Sequence, residues 1–166
     1  MAERERVRTR TPQVGVFVNA DTTYILSMAK KHVLSTVQLH GQEGSEQIDS
    51  LRLNGIRVIK AISVGVEFPS AEIEYYAPFC DMMLLDTKGK LPGGSGQTFD
   101  WSNLEYYPSE TPFLLSGGIR PEHANAIKAI DHPYFKGVDI NSGFENTPGE
   151  KNIDSIKQFI HDLREE

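Results

Sequence analysis

From Val14 onward the chain alternates short, nearly all-apolar runs with amphipathic stretches of helical period. Val14–Val18 is rich in β-branched residues, as a strand buried on both faces requires. Tyr24–His32 follows as a helix, with Ile25, Met28 and Ala29 at helical spacing. Val37–Leu39 reads as the next strand and Ser45–Asn54 as the next helix, closed by Asn54-Gly55. The beat continues with a strand at Val58–Ala61, a helix at Ser70–Tyr76 and a strand at Met82–Leu85. A Gly-rich loop over Thr87–Thr98 and a short turn or helix at Trp101–Tyr107 come next. Phe113–Leu115 is a strand, Pro121–Ile130 a helix with Pro in its first turn, and Gly137–Ile140 a strand. An amphipathic helix over Asn152–Arg164 closes the chain.

Strict alternation implies parallel strands joined by right-handed crossovers, and so an α/β fold. An open doubly wound sheet keeps its phosphate loop after the first strand, but Val18-Asn-Ala-Asp-Thr22 contains no glycine. The glycine turns follow the last two predicted strands instead, where (β/α)8 barrels hold phosphate. The expectation is a TIM-barrel type of about six βα units, with two strands unaccounted for. The domain reading is a charged lead-in over residues 1–12 and a partial barrel over 13–166.

Composition narrows the partners. A net charge of −6 opposes a general nucleic-acid or anionic-membrane binder, although backbone N–H groups can still hold a phosphate. The four arginines before Pro12 alternate with Glu3 and Glu5, which reads as a solvated segment. One cysteine, Cys80, excludes an intrachain disulfide and suits a reducing cytoplasm. No metal site is expected from five scattered histidines, and no cofactor is called for.

Candidate chemistry collects where predicted strands end. Asp86 follows four apolar residues, and an apolar mouth is where a carboxyl keeps its proton and acts as a general acid. The same carboxylate would equally serve as a cap on the Thr87-Lys88 turn. His40 either orients substrate or is a structural strand-end histidine. Ser116-Gly117-Gly118-Ile119 and Asn141-Ser142-Gly143 offer closely approaching N–H groups, the two halves of a phosphate cradle. Gly93-Gly94-Ser95-Gly96 lacks a P-loop ending and reads as a flap over the site.

Taken together, the strings resemble the phosphoribosylanthranilate isomerases of tryptophan biosynthesis. The carrying segments are Val14-Gly-Val-Phe-Val-Asn19, Val37-Gln-Leu-His-Gly41, Leu84-Leu-Asp86, and Gly93-Gly-Ser-Gly96 with Thr98-Phe-Asp-Trp101. Ser116-Gly-Gly118 and Gly137-Val-Asp-Ile-Asn-Ser-Gly-Phe-Glu145 with Pro148-Gly149 complete them. The resemblance implies a (β/α)8 barrel catalysing a metal- and cofactor-free Amadori rearrangement of a small phosphorylated substrate. It makes Asp86 the general acid, assigns the 5-phosphate to Gly117, Gly118, Asn141, Ser142 and Gly143, and places His40, Asp139, Gly94 and Ser95 around the site. The family's general base, a cysteine followed by glycine after the first strand, has no counterpart here, since Cys80 lies elsewhere. The expectation is therefore a barrel lacking its first two strands and neither stable nor active alone. Three origins follow from that expectation: a misassigned start, a half-barrel needing a complementing N-terminal fragment or a homo-oligomer, or a non-catalytic phosphosugar-binding relative.

Overall fold

A computed structural model describes residues 11–87 and 98–165. Within it the chain divides into two compact units, one ending at Val58 and the other beginning at Ile59.

The first unit pairs two parallel strands, β1 (Val14–Phe17) and β2 (Thr36–Leu39), in the register Val14–Thr36 to Phe17–Leu39. Helix α1 (Thr22–His32) joins them. It starts two residues earlier than its apolar spacing suggests, because the Asp21 carboxylate accepts from the Tyr24 N–H at 2.8 Å and caps the first turn. Its end is closed by Val33 in the left-handed region (φ 56°), which lets the Leu34 N–H reach the Ala29 carbonyl at 2.8 Å. Helix α2 (Ser45–Leu53) buries Ile48 and Leu51. The predicted burial of the first strand on both faces is wrong. Val14, Val16 and Val18, which share one face by the two-residue period, are 42%, 58% and 63% exposed, so that face is left uncovered within this unit.

Strand β3 (Arg57–Val64) runs across the junction, and the second unit continues with α3 (Ser70–Tyr76) and β4 (Met82–Thr87). β5 (Phe113–Ser116), α4 (Ala124–Lys128) and β6 (Phe135–Val138) follow. β3 to β6 pair in sequence order, all parallel. Met83, Leu84 and Leu85 on β4 are all buried, as a strand covered on both faces must be. Buried Lys60 on β3 has its ammonium 5.3 Å from the centre of the Tyr76 ring.

Several predicted elements shift, and the strands expected at Val58–Ala61 and Met82–Leu85 run on to Val64 and Thr87. The helix expected over Pro121–Ile130 opens as a 3-10 turn, Pro121–His123, and becomes α-helical only at Ala124. The final sheet strand lies over Phe135–Val138 rather than Gly137–Ile140, because Gly137 adopts φ 144° beside a register shift at Phe113/Leu114. Asp139 still donates its N–H to the Leu115 carbonyl at 2.8 Å before the chain turns away. A hairpin absent from the predicted elements, β7 (Glu145–Thr147) with β8 (Glu150–Lys151), turns at Gly149 (φ 85°). Helix α5 (Ile153–Arg164) follows, capped by Asn152 and anchored by Phe159 against Phe144 at 4.8 Å.

Candidate functional site

The parallel register of the second unit lines up the ends of its strands. Asp86 on β4 stands opposite Ser63 on β3 and Ser116 on β5. Ser116 Oγ lies 3.2 Å from Asp139 Oδ2, just past β6. One row of strand ends thus carries two carboxylates and two hydroxyls, at the face where parallel α/β barrels place their chemistry. Asp86 is half-buried, whereas Asp139 is exposed.

The glycine turn after β5 is built against this row. Gly117 and Gly118 have φ 82° and 69°, a conformation that side-chain-bearing residues rarely adopt. A Cβ at Gly117 would lie 2.6 Å from the Thr87 backbone nitrogen and 2.9 Å from Asp86 Oδ1. Glycine is therefore required for the turn to close on the Asp86 carboxylate. The second loop, after β6, is packed on the first: a Cβ at Gly143 would lie 2.1 Å from the Ile119 carbonyl oxygen and 3.2 Å from Arg120 Cγ. Gly117, Gly118, Asn141, Ser142 and Gly143 accordingly occupy two touching loops. The N–H groups of Gly117 and Gly118 donate to no protein acceptor among the described residues.

Lys151 on β8 was not singled out by sequence reasoning. Its ammonium bonds Asn141 Oδ1 at 2.5 Å and Glu145 Oε1 at 2.6 Å. The Lys151 bond, and then the Gly149 N–H, hold the Glu145 carboxyl below the usual glutamate range.

The loop between β4 and Trp101 is anchored at both ends by one side chain. Thr87 Oγ1 donates to the Ser116 carbonyl and accepts from the Phe99 N–H, each at 3.2 Å. The flap expected at Gly93–Gly96, with Gly94 and Ser95, lies outside the described residues. Cys80 is buried and precedes β4, at the opposite end of that strand from Asp86.

In the first unit, His40 follows β2, and its Nδ1 lies 2.9 Å from Gln38 Nε2. The organising group here is a carboxylate that sequence reasoning missed. Glu43, 3% exposed, accepts from the Asn19 N–H through Oε1 (2.7 Å) and from the Gly41 N–H through Oε2 (2.9 Å). Asn19, at φ 53°, in turn accepts from the Gln42 N–H at 2.8 Å. The signal was present in His40-Gly41-Gln42-Glu43, an acid three residues beyond a strand-end histidine.

A separate groove of about 880 Å³ is lined by Trp101, His123, Asp131 and His132 among others. Asp131 and His132 precede β6, while Phe99, also in its lining, bonds Thr87 at the end of β4. Among the described residues no cluster of His, Cys, Asp and Glu could hold a metal, and no helix is long and apolar enough to cross a membrane.

The sequence model of the N-(5′-phosphoribosyl)anthranilate (PRA) isomerase family matches residues 2–162. The chain belongs to the phosphoribosylanthranilate isomerase family. The isomerase of Parabacteroides distasonis is 46% identical over 151 residues, covering 91% of this chain and 68% of that protein. That of Thermotoga maritima is 41% identical over 153 residues, covering 92% and 72%. A solved phosphoribosylanthranilate isomerase in complex with reduced 1-(o-carboxyphenylamino)-1-deoxyribulose 5-phosphate superposes with a TM-score of 0.78 at 35% identity. A monomer of the dimeric Thermotoga maritima enzyme does so with 0.74 at 33%; each match covers 96% of this chain and 75% of the other. The fold is thus α/β of the (β/α)8-barrel type, and the chain is an isomerase of tryptophan biosynthesis by family. It spans about three quarters of the length of these solved relatives.

Proposed function

We propose that the row of strand ends in the second unit supplies the acid and the phosphate anchor for isomerising N-(5′-phosphoribosyl)anthranilate to 1-(2-carboxyphenylamino)-1-deoxyribulose 5-phosphate. The 5-phosphate sits on the N–H groups of Gly117, Gly118, Ser142 and Gly143, and Asn141 shapes the second loop. Asp86 gives its proton to the ribose ring oxygen; the C1′–O bond breaks and an iminium forms. Loss of the C2′ proton then yields an enolamine, which tautomerises to the ketone. Asp139 is assigned to lining the site, and the base that takes the C2′ proton is assigned to none of these residues. No step calls for a metal or an organic cofactor. One observation carries the reading: the Asp86 carboxylate is packed directly against the Gly117 turn, so acid and anion cradle are a single piece of structure.

The test follows loss of anthranilate fluorescence when the chain is given N-(5′-phosphoribosyl)anthranilate. Asp86→Asn is expected to lower turnover by about 10²–10⁴-fold, the range of a general acid, with inorganic phosphate binding retained. Turnover unchanged by Asp86→Asn would overturn the assignment. Phosphate binding without any turnover would favour a non-catalytic phosphosugar-binding protein.

The place of β1 at the end of its sheet, with Val14 and Val16 exposed, supports a second reading, about partners. We propose that this edge takes up a further strand, from a complementing segment or a second copy of the chain. Val16→Lys should then abolish association in sedimentation runs; association unaltered by that change would refute it. A cytoplasmic location accords with a sequence whose one cysteine, Cys80, can form no intrachain disulfide.

A further inference from the structure

The loop that carries Asn141, Ser142 and Gly143 is held from two sides. One hold is backbone packing, because Gly143 lies against Ile119 and Arg120 at the end of the Gly117-Gly118 turn. The other is Lys151. Glu145 and Lys151 face each other across the β7–β8 hairpin, and the Lys151 ammonium spans from Glu145 Oε1 to Asn141 Oδ1. The hairpin is itself fixed. The Asn152 N–H donates to the Phe144 carbonyl at 2.8 Å, Asn152 Oδ1 caps α5 through the Ser155 N–H at 3.0 Å, and Phe144 packs on Phe159. Asn141 has φ −138° and ψ −105°, outside the helical and extended basins, so its local backbone preference does not hold this loop in place.

We propose that Lys151 is a positioning residue for the phosphate site. Tied to Glu145, it holds Asn141 so that the Ser142 and Gly143 N–H groups converge with those of Gly117 and Gly118 on one anion. This rests on the phosphate reading above and extends it to a residue outside the loops themselves.

Titration of the full chain with inorganic phosphate, followed at the Ser142 and Gly143 amide resonances, tests it. Lys151→Met should weaken phosphate binding about tenfold, the value of one charge-assisted hydrogen bond. Lys151→Arg should restore binding to within about threefold, since guanidinium also donates to both acceptors. Glu145→Gln separates positioning from simple charge. It removes a negative group near the anion, so a purely electrostatic Lys151 would then bind phosphate more tightly; a positioning Lys151 would lose its tether and bind more weakly. Tighter binding in Glu145→Gln, or unchanged binding in Lys151→Met, overturns the inference while leaving the cradle intact. Absence of phosphate binding in the parent chain overturns both.

Discussion

At the ends of β1 and β2 the N–H groups of Asn19 and Gly41 are both taken by one buried carboxylate, that of Glu43. At the ends of β5 and β6 the turn glycines face the Asp86–Ser116–Asp139 row, and no internal acceptor meets the N–H groups of Gly117 and Gly118 among the described residues. Both regions bend a parallel strand into a turn with positive φ. In the first, the protein supplies its own anion and the loop is complete without a ligand. In the second, the proposed substrate phosphate would take that place. Backbone polar groups away from water need partners, so this choice separates a structural strand end from a binding one.

The strands differ in parallel with their ends. β4 is buried on both faces, while β1 is exposed along Val14 and Val16. The largest expected effect follows from this. Leu84→Ala should cost about 2–5 kcal/mol of unfolding free energy in urea titration, while Val16→Ala, at an exposed site, should stay within about 0.5 kcal/mol. Equal effects at the two positions would mean that β1 is covered in solution by another strand, and would break the contrast while supporting association through that edge.

Glu43→Ala comes next. It strips acceptors from two N–H groups at once and should cost on the order of 2–4 kcal/mol in the same titration. Phosphate affinity should not change, because the loops of the second unit keep their own geometry. A fall in phosphate affinity as large as the fall in stability would show that Glu43 serves the ligand site too.

Gly117→Ala should behave in the opposite sense. The positive φ and the approach of Thr87 nitrogen and Asp86 Oδ1 force the turn to shift, at about 1–3 kcal/mol. Phosphate binding should weaken by more than tenfold as its N–H groups swing away. Retention of full affinity would remove Gly117 from the cradle.

These pairs also show what the sequence made legible. The helix Ser70–Tyr76 and the strand over Met82–Leu85 were readable because apolar period and length leave little choice. The glycine turns and Asp86 were readable because each directly follows an apolar run in the sequence. Lys151 was not, since it acts across a hairpin on a group that no local period identifies, and Glu43 was marked only by its place three residues beyond a strand-end histidine. The hairpin at Pro148-Gly149 breaks an otherwise regular beat with strands of two and three residues, too short to show alternation. The position of β6 depended on a backbone irregularity at Gly137, whereas the apolar spacing pointed to Gly137–Ile140.

The smallest effect concerns the second carboxylate, which makes the sharpest counterpart to Glu43. Glu145 is half-buried, and it holds the Lys151 ammonium first and the Gly149 N–H second. Its folded-state pKa is depressed below 4.5 by the Lys151 bond first and the Gly149 N–H second. A depressed carboxyl contributes stability that is complete above about 4.5 and fades as pH falls through the lower, folded value. The Glu145 side-chain carbon resonance should therefore titrate below 4.5 in the parent chain and move back toward 4.5 in Lys151→Met. The amide shifts of Ser142 and Gly143 should follow the same curve in the absence of phosphate, because protonating Glu145 releases one side of the Lys151 tether. A parent midpoint at or above 4.5 would mean that the tether does not persist in solution, leaving the phosphate loop held by the Gly143–Ile119 packing alone.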